Sequence, residues 1–138
     1  GMAFTGNSRP ASGAEHIIAH AWELESVEKG EKPQLHGLEV CQATLIVIDM
    51  YRLLYSETDD EHLKALIEKY LDYFSGVEEF CKTMNMPLVT RDGEKILRGI
   101  KRALTLRDRY TILFYLRDRK MFDRYAEYAT QKMRERLV

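Results

Sequence analysis

The chain has 138 residues, of which 45% are hydrophobic and 31% charged, and its formal net charge is −1. These values are typical of one globular domain and exclude a low-complexity or intrinsically disordered chain. The apolar stretch from Val40 to Leu54 is interrupted by Asp49 and Arg52 and is shorter than the roughly 20 residues that a membrane span needs. We therefore predict a buried helix there and no membrane partner.

The chain begins with an extended lead-in over residues 1–11, which is polar and aperiodic and contains Gly, Ser and Pro. Ser12 with Glu15 three residues later is a capping-box pattern, which predicts a helix from residue 12 to about Val27. The next apolar segment includes a run at 45–48 that would suit a strand. Because the segment is too long for one and is not bounded by Gly or Pro, we predict a helix from about residue 36 to 55.

Capping patterns predict the remaining helices. Thr58 with Glu61 and Ser75 with Glu78 predict helices over about 59–74 and 76–84. Asp92 predicts one over about 94–104, Thr105 with Asp108 one over about 106–117, and a last helix is predicted from about Met121. We find no strand pattern and no internal repeat, so the prediction is an all-α multi-helix bundle with a single helical domain over 1–138.

Acidic and basic side chains are segregated along the chain. Residues 1–90 carry 7 basic and 15 acidic side chains, whereas residues 91–138 carry 14 basic and 7 acidic ones. The basic end has interleaved tyrosines, a pattern compatible with nucleic-acid binding. The acidic residues within it favour a solvated face or an internal partner for the first ninety residues, so we predict no nucleic-acid partner.

Two cysteines, Cys41 and Cys81, lie in predicted helices with partly apolar surroundings. A disulfide between them is one alternative. We favour the other, a pair of reduced core thiols in a cytoplasmic protein. Neither cysteine lies in a context that would activate a nucleophile.

Three histidines form the candidate functional site. His16 and His20 are four residues apart on one helix face, which they share with Glu23, and His36 follows the intervening loop. Neutral imidazole binds zinc, nickel and iron, so this arrangement is compatible with a divalent-metal site between two helices. On spacing alone, the alternative is that His16 or His20 caps a neighbouring backbone or pairs with Glu23.

The residues around these histidines resemble a known family. The segments 6–16 (GNSRPASGAEH), 20–23 (HAWE), 35–37 (LHG) and 107–113 (RDRYTIL) resemble the glycerol-1-phosphate dehydrogenases. These enzymes belong to the iron-containing alcohol dehydrogenase superfamily, together with glycerol dehydrogenases and 3-dehydroquinate synthases. The resemblance covers about residues 2–116.

The resemblance implies a fold, a site and a reaction. Members of the family combine an NAD(P)-binding domain with a helical C-terminal domain, which holds a catalytic divalent metal through one carboxylate and two histidines. By position, His16 and His36 match the two histidine ligands, and His20 matches a histidine near the substrate that assists proton transfer in the synthase branch. The implied reaction is reduction of dihydroxyacetone phosphate, with Lewis-acid polarisation and hydride transfer.

Two departures from the family pattern lead us to expect no activity from this chain alone. The carboxylate ligand and the NAD(P)-binding domain belong upstream of the segment matched here, and no G-x-G-x-x-G run occurs in the chain. A smaller departure is Leu38, where many relatives have Glu. We therefore expect an N-terminally truncated, metal-binding C-terminal fragment that is inactive alone and meets NAD(P) and a small-molecule substrate only with a complementing N-terminal half.

Further hypotheses concern partners and anions. Apolar surface left by missing helices predicts a homo-oligomer if no complementing half is present. Two functional alternatives are a non-catalytic module that dimerises or docks on a partner, and a free-standing metal-binding module that uses the three histidines with water. Arg9 and Ser12, near the start of the first helix, are candidates for binding a substrate phosphate, and a simple helix cap is the alternative at Ser12.

Overall fold

The computed structural model describes residues 13–83, 92–106 and 110–136, and all regular secondary structure in these ranges is α-helical. The predicted all-α fold is thereby confirmed for this part of the chain. In order, the helices are α1 (Ala14–Glu28), α2 (His36–Glu57), α3 (Glu61–Tyr73), α4 (Val77–Thr83), α5 (Gly93–Leu106), α6 (Ile112–Asp118) and α7 (Phe122–Glu135). None of these helices is long and apolar enough to cross a bilayer.

The central helix of the bundle is α2. It packs against α1, α3, α4 and α7, and every residue from Gln42 to Tyr51 is buried. A helix that is apolar nearly all round must be covered on all sides, which accounts for this position. Helix α5 packs against α1 and also against α7.

The predicted start of α3 is wrong by two residues. The carboxylate of Asp60, rather than the hydroxyl of Thr58, accepts hydrogen bonds from two backbone N–H groups in the first turn of α3. Thr58 instead accepts a hydrogen bond from the backbone N–H of Asp60. Both residue types are good N-caps, so the pattern alone offers two adjacent starts.

A second predicted helix start, at Thr105, is also wrong. Thr105 lies inside α5, where its hydroxyl donates to the carbonyl of Arg102. The next helix is capped by Thr111, whose hydroxyl accepts from the backbone N–H of Leu113. The prediction at Asp92 is confirmed, because its carboxylate accepts from the N–H of Glu94 at 2.9 Å in the first turn of α5.

The basic C-terminal third pairs with acidic residues of the first ninety, as one of the two alternatives from the charge pattern predicted. Four arginines make these contacts across helices: Arg98 with Glu25, Arg102 with Glu28, Arg124 with Glu57, and Arg136 with Asp49 and Glu78. Most of these pairs are exposed, and an exposed ion pair contributes at most about 1 kcal/mol. The exception is Asp49, which is buried.

The two cysteines are paired. A disulfide joins Cys41 of α2 to Cys81 of α4, so the prediction of reduced core thiols is wrong and the alternative is correct. The physical reason is the packing of α4 on α2, which brings together two side chains that are 40 residues apart in the sequence.

Candidate functional site

The connection between α1 and α2 brings His36 beside the face of α1 that carries the other two histidines. Gly30 has φ of +70°, a left-handed conformation that glycine adopts without strain. Its N–H bonds to the carbonyl of Val27, and the N–H of Glu31 bonds to the carbonyl of Ser26, which together form a Schellman motif that ends α1. The chain then returns and starts α2 at His36, beside α1.

The structure places His20 and His36 at the carboxylate of Glu23, and the His16 ring beside that of His36. The imidazole rings of His16 and His36 have centroids 6.0 Å apart. His36 Nδ1 donates a hydrogen bond of 2.8 Å to Glu23 Oε2, and His20 Nδ1 lies 3.7 Å from Glu23 Oε1. The pairing of His20 with Glu23, which the sequence left open as an alternative, is therefore present alongside the contact between the two predicted metal ligands.

Two imidazoles on one tetrahedral ion, each at about 2.1 Å from the metal, would have ring centroids roughly 5 Å apart. The observed separation of the His16 and His36 rings is close to that value. This spacing is compatible with binding of both rings to one ion. His36 and His20 are open to solvent, with 58% and 46% of their side chains exposed, so an ion has access to them.

Glu39 is a residue of the cluster that the sequence analysis missed. It lies one turn after His36 on α2, and only 1% of it is exposed. One ligand atom from each of Glu23, His36 and Glu39 lies within 4.8 Å of the other two. The available signal was the i, i+3 spacing of His36 and Glu39, which puts them on one helix face.

The electrostatics of the two carboxyl groups differ. Burial, followed by a hydrogen bond to Glu23 and repulsion from its charge, raises the pKa of Glu39 to about 7. Burial alone would raise the pKa of Glu23, but hydrogen bonds from His36, Glu39 and His20 lower it. Of the two carboxyl groups, that of Glu23 therefore ionises more readily than that of Glu39.

The residues present fit a divalent metal ion. Among the described residues, Oε1 of Glu39 has no hydrogen-bond partner although it is buried. A buried polar atom in this state needs a reason, and a cation would supply a partner. Imidazole nitrogen and carboxylate oxygen are ligands of zinc, iron and related ions. The candidates for phosphate binding, Arg9 and Ser12, lie outside the described residues.

Comparisons with known proteins point to one enzyme family. The chain is 32% identical over 112 residues to a glycerol-1-phosphate dehydrogenase [NAD(P)+] of Korarchaeum cryptofilum, which covers 81% of this chain and 31% of that protein. The enzyme of the same name from Bacillus licheniformis is 30% identical, over 76% of this chain and 28% of the relative. That of Bacillus subtilis is 29% identical, over 88% and 34%.

The chain spans about a third of the length of the curated relatives it matches. No protein-family profile and no solved structure matches it significantly. The comparisons therefore relate the chain to a segment of these enzymes.

Proposed function

The chain is a homologue of part of the glycerol-1-phosphate dehydrogenases, and on that premise we propose that it forms the metal-binding C-terminal segment of a dehydrogenase of this kind. His16 and His36 are the proposed ligands of a divalent zinc, nickel or iron ion. His20 is the proposed catalytic residue, which exchanges a proton with the substrate oxygen. The ion, when bound, would polarise the carbonyl of dihydroxyacetone phosphate as a Lewis acid.

The observation that carries this proposal is the position of the His16 and His36 rings, whose centroids lie 6.0 Å apart, beside the carboxylate of Glu23 that contacts His20 and His36. His16 and His20 come from one face of α1, and His36 comes from the first residue of α2. The Glu23 carboxylate contacts both His20 and His36, so it limits the rotation of two of the three rings. Ligand side chains held by a hydrogen-bonded carboxylate are typical of metal sites in enzymes.

We propose that the chain alone has no dehydrogenase activity. The described residues contain no β-strand, and a dinucleotide-binding domain of the Rossmann type requires a parallel sheet. NAD(P) and substrate would then meet the histidines only in an assembly with a complementing N-terminal half.

Metal content tests the proposal. After loading with zinc and removal of excess ion, we expect about one zinc per chain by elemental analysis. His16→Ala should reduce the metal content to background, because it removes one of the two histidine ligands. His62→Ala is the matched control, since His62 is an exposed histidine on α3 and should leave the metal content unchanged.

A wild-type chain without metal, or a His16→Ala variant that keeps it, would contradict the proposed ligands. Loss of metal in His20→Ala as well would favour the free-standing module, in which His20 is a third ligand. Turnover of dihydroxyacetone phosphate and NAD(P)H by the chain alone would contradict the proposed inactivity.

The second candidate function is a non-catalytic module that self-associates or docks on a partner. It is favoured by an apolar surface beside the disulfide, where Tyr73 and Phe80 are 68% and 55% exposed. Exposed aromatic side chains that lie together are typical of interaction surfaces. We expect light scattering after size exclusion to give a dimer that Phe80→Ser converts to a monomer, whereas a wild-type monomer would contradict self-association.

A further inference from the structure

We propose that Glu23, His36 and Glu39 together form a divalent-metal site, with Glu39 as a direct ligand. The inference rests on the proposed function only in that it shares His36. It assigns the carboxylate ligands to residues of this chain, one from α1 and one from α2, rather than to a complementing half.

The positions of Glu23 on α1 and of His36 and Glu39 on α2 bring the three side chains together. His36 and Glu39 are three residues apart on α2, so they lie on one face of that helix, and Glu23 reaches them from α1. Their ligand atoms lie within 4.8 Å of one another, and His36 Nδ1 is 2.8 Å from Glu23 Oε2. Ligand atoms at about 2.1 Å from one ion are themselves roughly 3–3.5 Å apart. The three side chains would therefore draw together on binding, and the ion would displace the proton that His36 Nδ1 donates to Glu23.

The burial of Glu39 is the second observation that points to an ion. Only 1% of this residue is exposed, and among the described residues its Oε1 has no hydrogen-bond partner. A buried carboxyl atom without a partner is costly, by roughly 1–3 kcal/mol. A cation bound by Glu39, Glu23 and His36 would give the Glu39 carboxylate a partner and offset the repulsion between the two carboxylates.

The ligand chemistry indicates the class of ion. Two carboxylate oxygens and one imidazole nitrogen suit zinc, iron(II), manganese(II) and cobalt(II) rather than a soft ion that prefers sulfur. Glu23 and His36 are partly exposed, at 24% and 58% of their side chains, so one side of the ion would remain open to water or substrate. An open coordination position is the feature that separates catalytic from structural metal sites.

Cobalt(II) is the probe that tests the direct contact. In Glu39→Cys, a thiolate in the inner shell should produce an intense sulfur-to-cobalt charge-transfer band in the near ultraviolet. Glu31→Cys, in the exposed loop between α1 and α2, is the matched control and should give no such band. The wild-type cysteines are joined to each other and provide no thiolate background.

Affinity provides a second and independent readout. We expect Glu39→Gln to weaken cobalt(II) binding by more than about 100-fold, beyond the 10–100-fold that is typical of a residue acting outside the coordination shell. Glu23→Gln should also weaken binding. Circular dichroism of each variant establishes that it is folded before its affinity is compared.

The outcomes separate this inference from the proposed function. Loss of affinity in Glu39→Gln with a charge-transfer band in Glu39→Cys supports the inference, whatever His16→Ala does. Metal binding that is lost in His16→Ala but unchanged in Glu39→Gln, with no band in Glu39→Cys, overturns the inference and leaves the proposed function standing. A wild-type chain that binds no cobalt(II) overturns both.

Discussion

Arg136→Ala is expected to lower the free energy of unfolding by about 3–5 kcal/mol, because it leaves a buried carboxylate without its counter-ion. Asp49, in the middle of α2, is 4% exposed. Both of its oxygens accept hydrogen bonds from the Arg136 guanidinium, at 2.5 and 3.1 Å. The same guanidinium contacts Glu78 of α4 at 2.8 Å. One side chain at the end of α7 thus neutralises charges on two other helices.

Urea denaturation of the purified protein measures the effect. The matched control is Arg117→Ala, since Arg117 forms an exposed ion pair with its neighbour Asp118 and its loss should cost less than about 1 kcal/mol. Asp49→Asn combined with Arg136→Met removes both charges and is expected to recover part of the loss. Equal stability of the Arg136→Ala and Arg117→Ala variants would show that Asp49 does not depend on its partner.

Gly99→Ala is expected to destabilise the protein by about 2–3 kcal/mol, although alanine is the better helix former by about 1 kcal/mol. Gly99 lies on α5 against the indole of Trp22 from α1. A Cβ atom there would overlap the indole Nε1 of Trp22 and lie 2.6 Å from its Cδ1. Trp22 is 1% exposed and its Nε1–H donates to the carbonyl of Lys95, so the ring cannot move aside without losing packing and a hydrogen bond.

Thermal denaturation and fluorescence test this prediction together. Trp22 is the only tryptophan of the chain, so a displaced indole should change the emission spectrum directly. Gly76→Ala is the control, because a Cβ atom at Gly76 meets nothing within 4 Å. If Gly99→Ala matches wild type in both stability and emission, the close approach of α1 and α5 is incorrect.

The features of the fold that depend on neighbouring residues, such as helices and their caps, were largely predicted from the sequence. Apolar periodicity and length identified α2 as a central helix, and the cap at Asp92 was located correctly. Where two good caps lie close together, as at Thr58 and Asp60, the local pattern could not choose between them. The choice depends on which residues the packed bundle buries, and that information is not local.

The candidate site also combines features that the sequence predicts with contacts that only the packed structure shows. The i, i+4 relation of His16 and His20 is a property of one helix, and the flanking motif indicated that His36 belongs with them. Glu23 lies on α1 and Glu39 on α2, and a loop separates the two helices in the sequence. No helical spacing rule therefore predicts that the two carboxyl groups interact. Their role as metal ligands stays a prediction until it is measured.

By itself, the sequence determined the helical class, the central position of α2 and the relation to an enzyme family, and it indicated the histidines of the candidate site. Only the tertiary structure decided that Cys41 pairs with Cys81, that Arg136 neutralises Asp49, and that Glu39 is buried beside Glu23. The physical reason is the distance along the sequence over which each interaction acts. Helix formation and capping depend on neighbours within one turn, whereas these three contacts join residues on different helices and exist only after the helices have packed.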